Sequence, residues 1–310
     1  MEEETAVKKP LKWYDAITMN VIYLGITLRS QTLTPLIGPL LVQQFVGDET
    51  KGTSYGNLRL VSLMVALLVQ ALAGQLSDRS TSRLGRRRPF ILLSGILEIL
   101  AFLTVGVIAG AMDGMAGYTA LFAIIIFSMV ASTISHGAAH GLIPDLVPTE
   151  QRGRYSAIKA FFELPLPLII VAFTVSKMVS AGNIWGALIF ISVVMLLAVV
   201  LTMFVRETPQ KGPAEPMDWQ AIGRLVAMTL SFTGIILLIG WVVKKLLPLL
   251  QGLPDRQSTL LIAIVGVVGM IIAVALGVIF SVRISLGKEA GKRPDFTWWV
   301  VNRLAFLVGA

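Results

Sequence analysis

Five ionisable residues stand among almost wholly apolar neighbours, and they are where this sequence could do chemistry: Arg29, Glu98, His136, His140 and Glu163. In a bilayer such groups are costly and are functional candidates by default. Arg29 lies about 20 Å along its apolar stretch at 1.5 Å per residue, too deep for easy snorkelling. It either faces a solute or sits in a buried ion pair, for which Glu163 is a candidate partner. His136 and His140 are the only histidines and stand at i and i+4, on one face of a helix. Neutral imidazoles can take a proton, hydrogen-bond a solute hydroxyl, or ligate a metal or pigment. The bland alternative is interhelical hydrogen bonding. Two histidines without an obvious carboxylate third ligand make a weak metal signal, so no metal and no other cofactor is expected. Carboxylates in low dielectric can hold a proton near neutral pH, which makes Glu163 and Glu98 the candidate proton carriers. Asp145, beside Pro144, reads instead as a helix-end or latch residue.

The elements that carry these residues are membrane helices. Hydrophobic residues make up 55% of the chain and charged ones 14%, with mean hydropathy +0.79. A soluble domain carries about a quarter charged residues. Apolar runs of about 20 residues, the length that crosses a bilayer core, predict spans near 16–46, 57–77, 89–111, 118–143, 156–180, 184–205, 221–243 and 258–282. A ninth begins near Phe296. Pro35 and Pro39 in the first span, and Pro165 and Pro167 in the fifth, predict kinks.

The net charge of +8 is explained by where the basic residues fall. Eighteen Lys and Arg occupy the N-terminus and alternate loops, against six in the opposite set. By the positive-inside rule the N-terminus and the first set are cytoplasmic, at the plasma (inner) membrane. Orientation thus accounts for the charge without nucleic acid. The acidic-then-basic N-terminus has no short apolar core and no cleavage site, so the first span itself is expected to direct insertion. The absence of cysteine excludes disulfides and thiolate sites. No phosphate loop, nucleophile elbow, HExxH or dinucleotide fingerprint occurs, so no enzyme activity is expected.

Between the second and third spans lies GQLSDRSTSRLGRRRPF, residues 74–90. It is a tight loop with Asp78 just past one helix end, five arginines within ten residues and Pro89 opening the next helix. As a topology anchor the arginines would suffice. A sharper reading makes them a charge latch with Asp78 against neighbouring helix ends. The loop resembles the major facilitator superfamily signature G-x-L-x-D-R…G-R-R, carried here by Gly74, Asp78, Arg79, Gly85, Arg86, Arg87 and Arg88. The longer form, SDR followed by SRLGRRRPFI, is similar to the sucrose/proton symporter branch and the related glycoside-pentoside-hexuronide:cation symporters. Leu33-Thr34-Pro35, HGAAHGLIPDL at 136–146 and EQRGR at 150–154 agree with it.

The resemblance implies an all-α membrane protein with a six-helix N-terminal transporter half over 1–205. Residues 206–290 would be a linker and two-helix insert, and RPDFTWWVVNRLAFLVG would open the seventh core helix over 291–310. The C-terminal half is then expected to be truncated. In the resembled fold the first and fourth helices line a central cavity, which points Arg29, His136 and His140 at substrate. Third helices are peripheral there, so Glu98 is expected to face a neighbouring Ser or Thr. One departure matters. Where the sucrose branch has a protonatable aspartate and then an arginine, this chain has Met129 and His140. The implied function is secondary transport of a small polar solute, a sugar or glycoside, by alternating access with a coupling proton or cation. Membrane lipid is then the surrounding partner. The alternative is a facilitator-fold scaffold or assembly factor that no longer transports, with other membrane subunits and pigment as its partners.

Overall fold

A computed structural model of the chain describes residues 11–207, 219–246 and 255–286, with Trp298 and Asn302; the expected seventh core helix and most of the linker lie outside these. The described residues form helices and no strand. They divide into two compact units, Met1–Met217 and Asp218–Ala310.

The first unit begins with α1 (Trp13–Thr32), a π-helical turn (Leu33–Ile37) and α2 (Gly38–Val46), then α3 (Lys51–Asp78), α4 (Arg88–Ala111) and α5 (Gly114–Leu146). After a short 3-10 turn (Thr149–Gln151) come α6 (Arg152–Glu163), α7 (Pro165–Ile170), a second π-helical turn (Val171–Val175), α8 (Ser176–Ser180) and α9 (Ile184–Thr202). The first π turn and the break between α6 and α7 sit where prolines fall. Pro35 lies inside the first π turn, where a ladder hydrogen bond is missing. Leu164, preceding Pro165, leaves the helical region at φ −124°, ψ −73° and separates α6 from α7; a residue before proline is pushed out of the helical well by the ring.

Among the described residues, seven helices are long and apolar enough to cross a membrane: Lys51–Asp78, Arg88–Ala111, Gly114–Leu146, the composite Thr149–Ser180, Ile184–Thr202, Ile222–Leu246 and Leu261–Ile284. The first expected span is helical along Trp13–Val46 but is not among the seven. Asn20, Arg29, Gln31 and Thr32 dilute its hydropathy, and three of them are buried, which marks an inward-facing helix.

In the first unit α5 packs against α3 and α4, and α1 against α9 and α6. Tyr155 ties α6 to the start of α1: its hydroxyl donates to Lys12 O at 3.2 Å and its carbonyl accepts from Asn20 Nδ2 at 3.3 Å. The apolar interior is split in two. One core holds Leu28, Leu41, Leu58, Phe102, Leu121 and Leu188; the other holds Met19, Ile22, Tyr23, Ile91, Leu142 and Val199. On four helices the change from one core to the other lies at or beside buried polar residues: Arg29 on α1, Glu98 on α4, Ser128 and Ser132 on α5, and Ser192 on α9. A polar belt therefore crosses the bundle at mid-height.

In the second unit α10 (Trp219–Leu246) and α11 (Asp255–Leu286) run antiparallel. Gly269 receives Val243, Gly277 receives Phe232, and Ser281 donates to Met228 O at 3.5 Å. Small residues let the two backbones approach, the usual device where lipid offers no hydrophobic drive for association.

Candidate functional site

The belt is organised by one ion pair. Arg29 Nε donates to Glu98 Oε1 at 2.6 Å, with side-chain exposures of 6% and 1%. Arg29 thus meets Glu98, not Glu163, and Glu98 is central, not a peripheral residue facing only a hydroxyl. The reason is registry: the α4 face turned to α5 and α9 carries Ser94, Gly95, Glu98, Ala101 and Phe102, so position 98 points inward. Ser132 also faces the Glu98 carboxylate. Several belt hydroxyls, those of Thr32, Ser128 and Ser192, have no hydrogen-bond partner among the described residues. Buried polar atoms are normally paired, so this layer holds unused capacity for hydrogen bonds.

Arg29 also reaches a small cleft whose lining includes Leu33, Thr34, Tyr55, Arg59, Ser62 and Met129. The Tyr55 hydroxyl donates to Thr34 O, and Arg59 Nη1 to Thr34 Oγ1 at 3.4 Å. Met129 adds a thioether to the lining of this cleft.

The histidines form a separate cluster. His136 Nε2 and His140 Nε2 stand 3.0 Å apart, and His136 Nε2 is 3.5 Å from Glu163 Oε1. The carboxylate missing beside the histidine pair in the sequence is therefore supplied by α6. Lys159 Nζ lies 3.6 Å from Glu163 Oε2 and 4.6 Å from the centre of the Tyr23 ring, whose edge meets both imidazoles. Neither histidine belongs to the lining of the Arg29 cleft.

The arginine-rich loop forms the latch. Arg87, buried, pairs with Asp78, donates Nε to Asp145 Oδ2 at 3.0 Å and donates to Ser77 Oγ. Arg86 Nη2 reaches Asp145 Oδ2 at 2.5 Å. The guanidinium of Arg87 lies on Gly141, where a Cβ would collide with it. Gly85 adopts φ +106°, and the Glu207 carboxylate occupies the space its missing side chain leaves. That carboxylate accepts from Arg87 N at 3.0 Å and Arg88 N at 3.2 Å, an anion at the start of α4. Arg88 donates to Met203 O, Arg79 Nη1 to Gln75 O at 3.0 Å, and Ser77 Oγ to Gly74 O at 3.2 Å. Glu207, Gly141 and Lys159 were not singled out by sequence reasoning. The serines of α5, at 128, 132 and 135, carried a legible signal, a polar stripe at helical spacing in an apolar helix.

Comparison with known proteins agrees with this architecture. Rice (Oryza sativa subsp. japonica) "Sucrose transport protein SUT2" is 28% identical over 56% of this chain and 44% of its own length. "Proton-associated sugar transporter A" of Mus musculus is 34% identical over 28% of this chain and 11% of its own length, and its Homo sapiens counterpart is 38% identical over 26% and 10%. The chain spans less than half the length of each of these relatives. The family model of the Major Facilitator Superfamily matches residues 17–310. A bundle of apolar helices, a signature loop folded into an ion-pair latch and a match along nearly the whole chain agree: the protein is an integral membrane member of the Major Facilitator Superfamily.

Proposed function

We propose that this chain is part of a secondary transporter that moves a small polar solute, a sugar or glycoside, by alternating access, coupled to a proton. The N-terminus and the arginine-rich loop lie on the cytoplasmic side of the plasma (inner) membrane, in keeping with the charge asymmetry of the loops. The observation that carries the reading is the Arg29–Glu98 pair, buried at mid-height with Arg29 lining the cleft. Secondary transporters hold solute and coupling ion near the midplane. A proton arriving at Glu98 cancels its charge and frees the Arg29 guanidinium to donate to solute hydroxyls. Proton loss returns Arg29 to Glu98 and releases the solute. The three sugar-transporter relatives support the solute class. Met129 leaves the family's carboxylate position without a proton acceptor, and Glu98 provides one across the belt. Of the other residues singled out in the sequence, His136, His140 and Glu163 bond mainly to one another and to Lys159, apart from the cleft.

The test is uptake of labelled sugars by the full-length protein in proteoliposomes, with and without a proton gradient. Gradient-driven uptake is expected, with Glu98→Gln retaining exchange but not accumulation and Arg29→Ala losing both. No uptake of any sugar, together with stoichiometric subunits on purification in mild detergent, would replace transport with an assembly role.

A further inference from the structure

We propose that His136, His140 and Glu163 form a binding site for a divalent first-row transition cation of the zinc and cobalt class, which clips α5 to α6. The proposal stands apart from the transport reading and does not rest on it.

Two histidines at i and i+4 on one helix aim their rings at a common point, the spacing by which helical metal sites chelate zinc. Their Nε2 atoms are 3.0 Å apart here, and Glu163 Oε1 is 3.5 Å from that of His136. Ligands bound at about 2.1 Å to one ion stand roughly 3.0–3.4 Å from each other, so the cluster already has close to the required spread. All three ligand atoms lie within 4.8 Å of one another. An N2O donor set favours zinc, cobalt or nickel over magnesium and calcium.

No other imidazole and no thiolate in the chain competes for such an ion, since these are its two histidines and it has no cysteine. His140 is exposed and the other two ligands are half-buried, so an ion has a way in. The site also has an architectural consequence. Glu163 is the last residue of α6, directly before the break at Leu164 and Pro165. An ion held there would fix the position of that break against α5.

Two neighbouring groups shape the affinity. Tyr23 walls the site from α1 through ring contacts with both imidazoles. Lys159 pulls on the opposite carboxylate oxygen, Oε2, which leaves Oε1 turned to the histidines. Its charge also opposes a dication. Removing that charge should therefore tighten binding, an effect that misfolding cannot imitate.

The full-length protein, purified in detergent with any affinity tag cleaved and stripped with chelator, is titrated with Co2+ and followed by visible absorbance. Saturation at one Co2+ per chain is expected, with displacement by Zn2+ and none by Mg2+. His140→Ala and Glu163→Gln should each weaken binding at least about tenfold, and Lys159→Met should tighten it about tenfold, as expected for a charge several ångströms away at intermediate dielectric. The absence of saturable binding, binding unchanged in His140→Ala, or weaker binding in Lys159→Met at unchanged monodispersity would each overturn the proposal.

Discussion

The Arg29–Glu98 pair and the Arg86–Arg87 latch use the same two functional groups and depend on opposite physics. Arg29 and Glu98 are withdrawn from water, each with the other as its main charged partner. In the latch, Asp78 is 52% and Asp145 27% exposed, and each charge is shared among several partners. Desolvating two charges costs several kcal/mol per ion, which mutual attraction repays only while both are present. A pair at the mouth of a bundle keeps part of its hydration and is worth little by itself. The comparison separates what an ion pair is for. The belt pair makes each residue indispensable to the other, which suits a two-state element that one proton can open. The latch shapes a loop with redundant bonds, which suits holding helix ends in register.

The largest effect is expected from breaking the belt. Arg29→Met leaves Glu98 buried without its cation and should cost about 3–5 kcal/mol in unfolding assays of the detergent-solubilised protein. Replacing both, Arg29→Met with Glu98→Leu, should recover most of that stability while uptake stays lost. A double variant as unstable as the single one would show that the belt depends on the ion pair itself.

Next comes the latch. Arg87→Ala removes bonds to Asp78, Asp145 and Ser77 from a buried guanidinium and should cost about 1.5–3 kcal/mol by the same assay. Arg87→Lys should restore only part of it, because an ammonium cannot reproduce the planar fork. Full rescue by lysine would reduce the latch to simple charge. Glu207→Gln keeps the shape at the start of α4 but removes the anion. It should cost about 0.3–1 kcal/mol, diminishing with salt. The smallest effect is expected at Lys51–Asp48, an exposed i,i+3 pair at 2.6 Å. Asp48→Asn should change stability by no more than about 1 kcal/mol and by less at high salt. A loss as large as that of Arg29→Met would overturn the claim that burial sets the scale.

Much of the fold is legible in the sequence. Apolar runs located the membrane helices, and the prolines at 35 and 165 marked a π turn and a chain break where each appears. The arginine loop announced a latch, and Asp145 joins it. Arg29 was legible as a buried cation, but its partner was not. Glu98 and Glu163 sit at comparable depth in one-dimensional terms, and only the facing of α4 decided between them. The histidine pair was legible as a pair, while its carboxylate and lysine come from a helix that begins a dozen residues later.

What the sequence by itself determined is the solvent this protein folds in and the places where its helices bend, because hydropathy and proline geometry act locally along the chain. What only the tertiary structure decided is who meets whom: Arg29 with Glu98, His136 with Glu163, and Glu207 with the start of α4. Those choices follow from helix rotation and packing, which set side chains far apart in sequence at distances of a few ångströms.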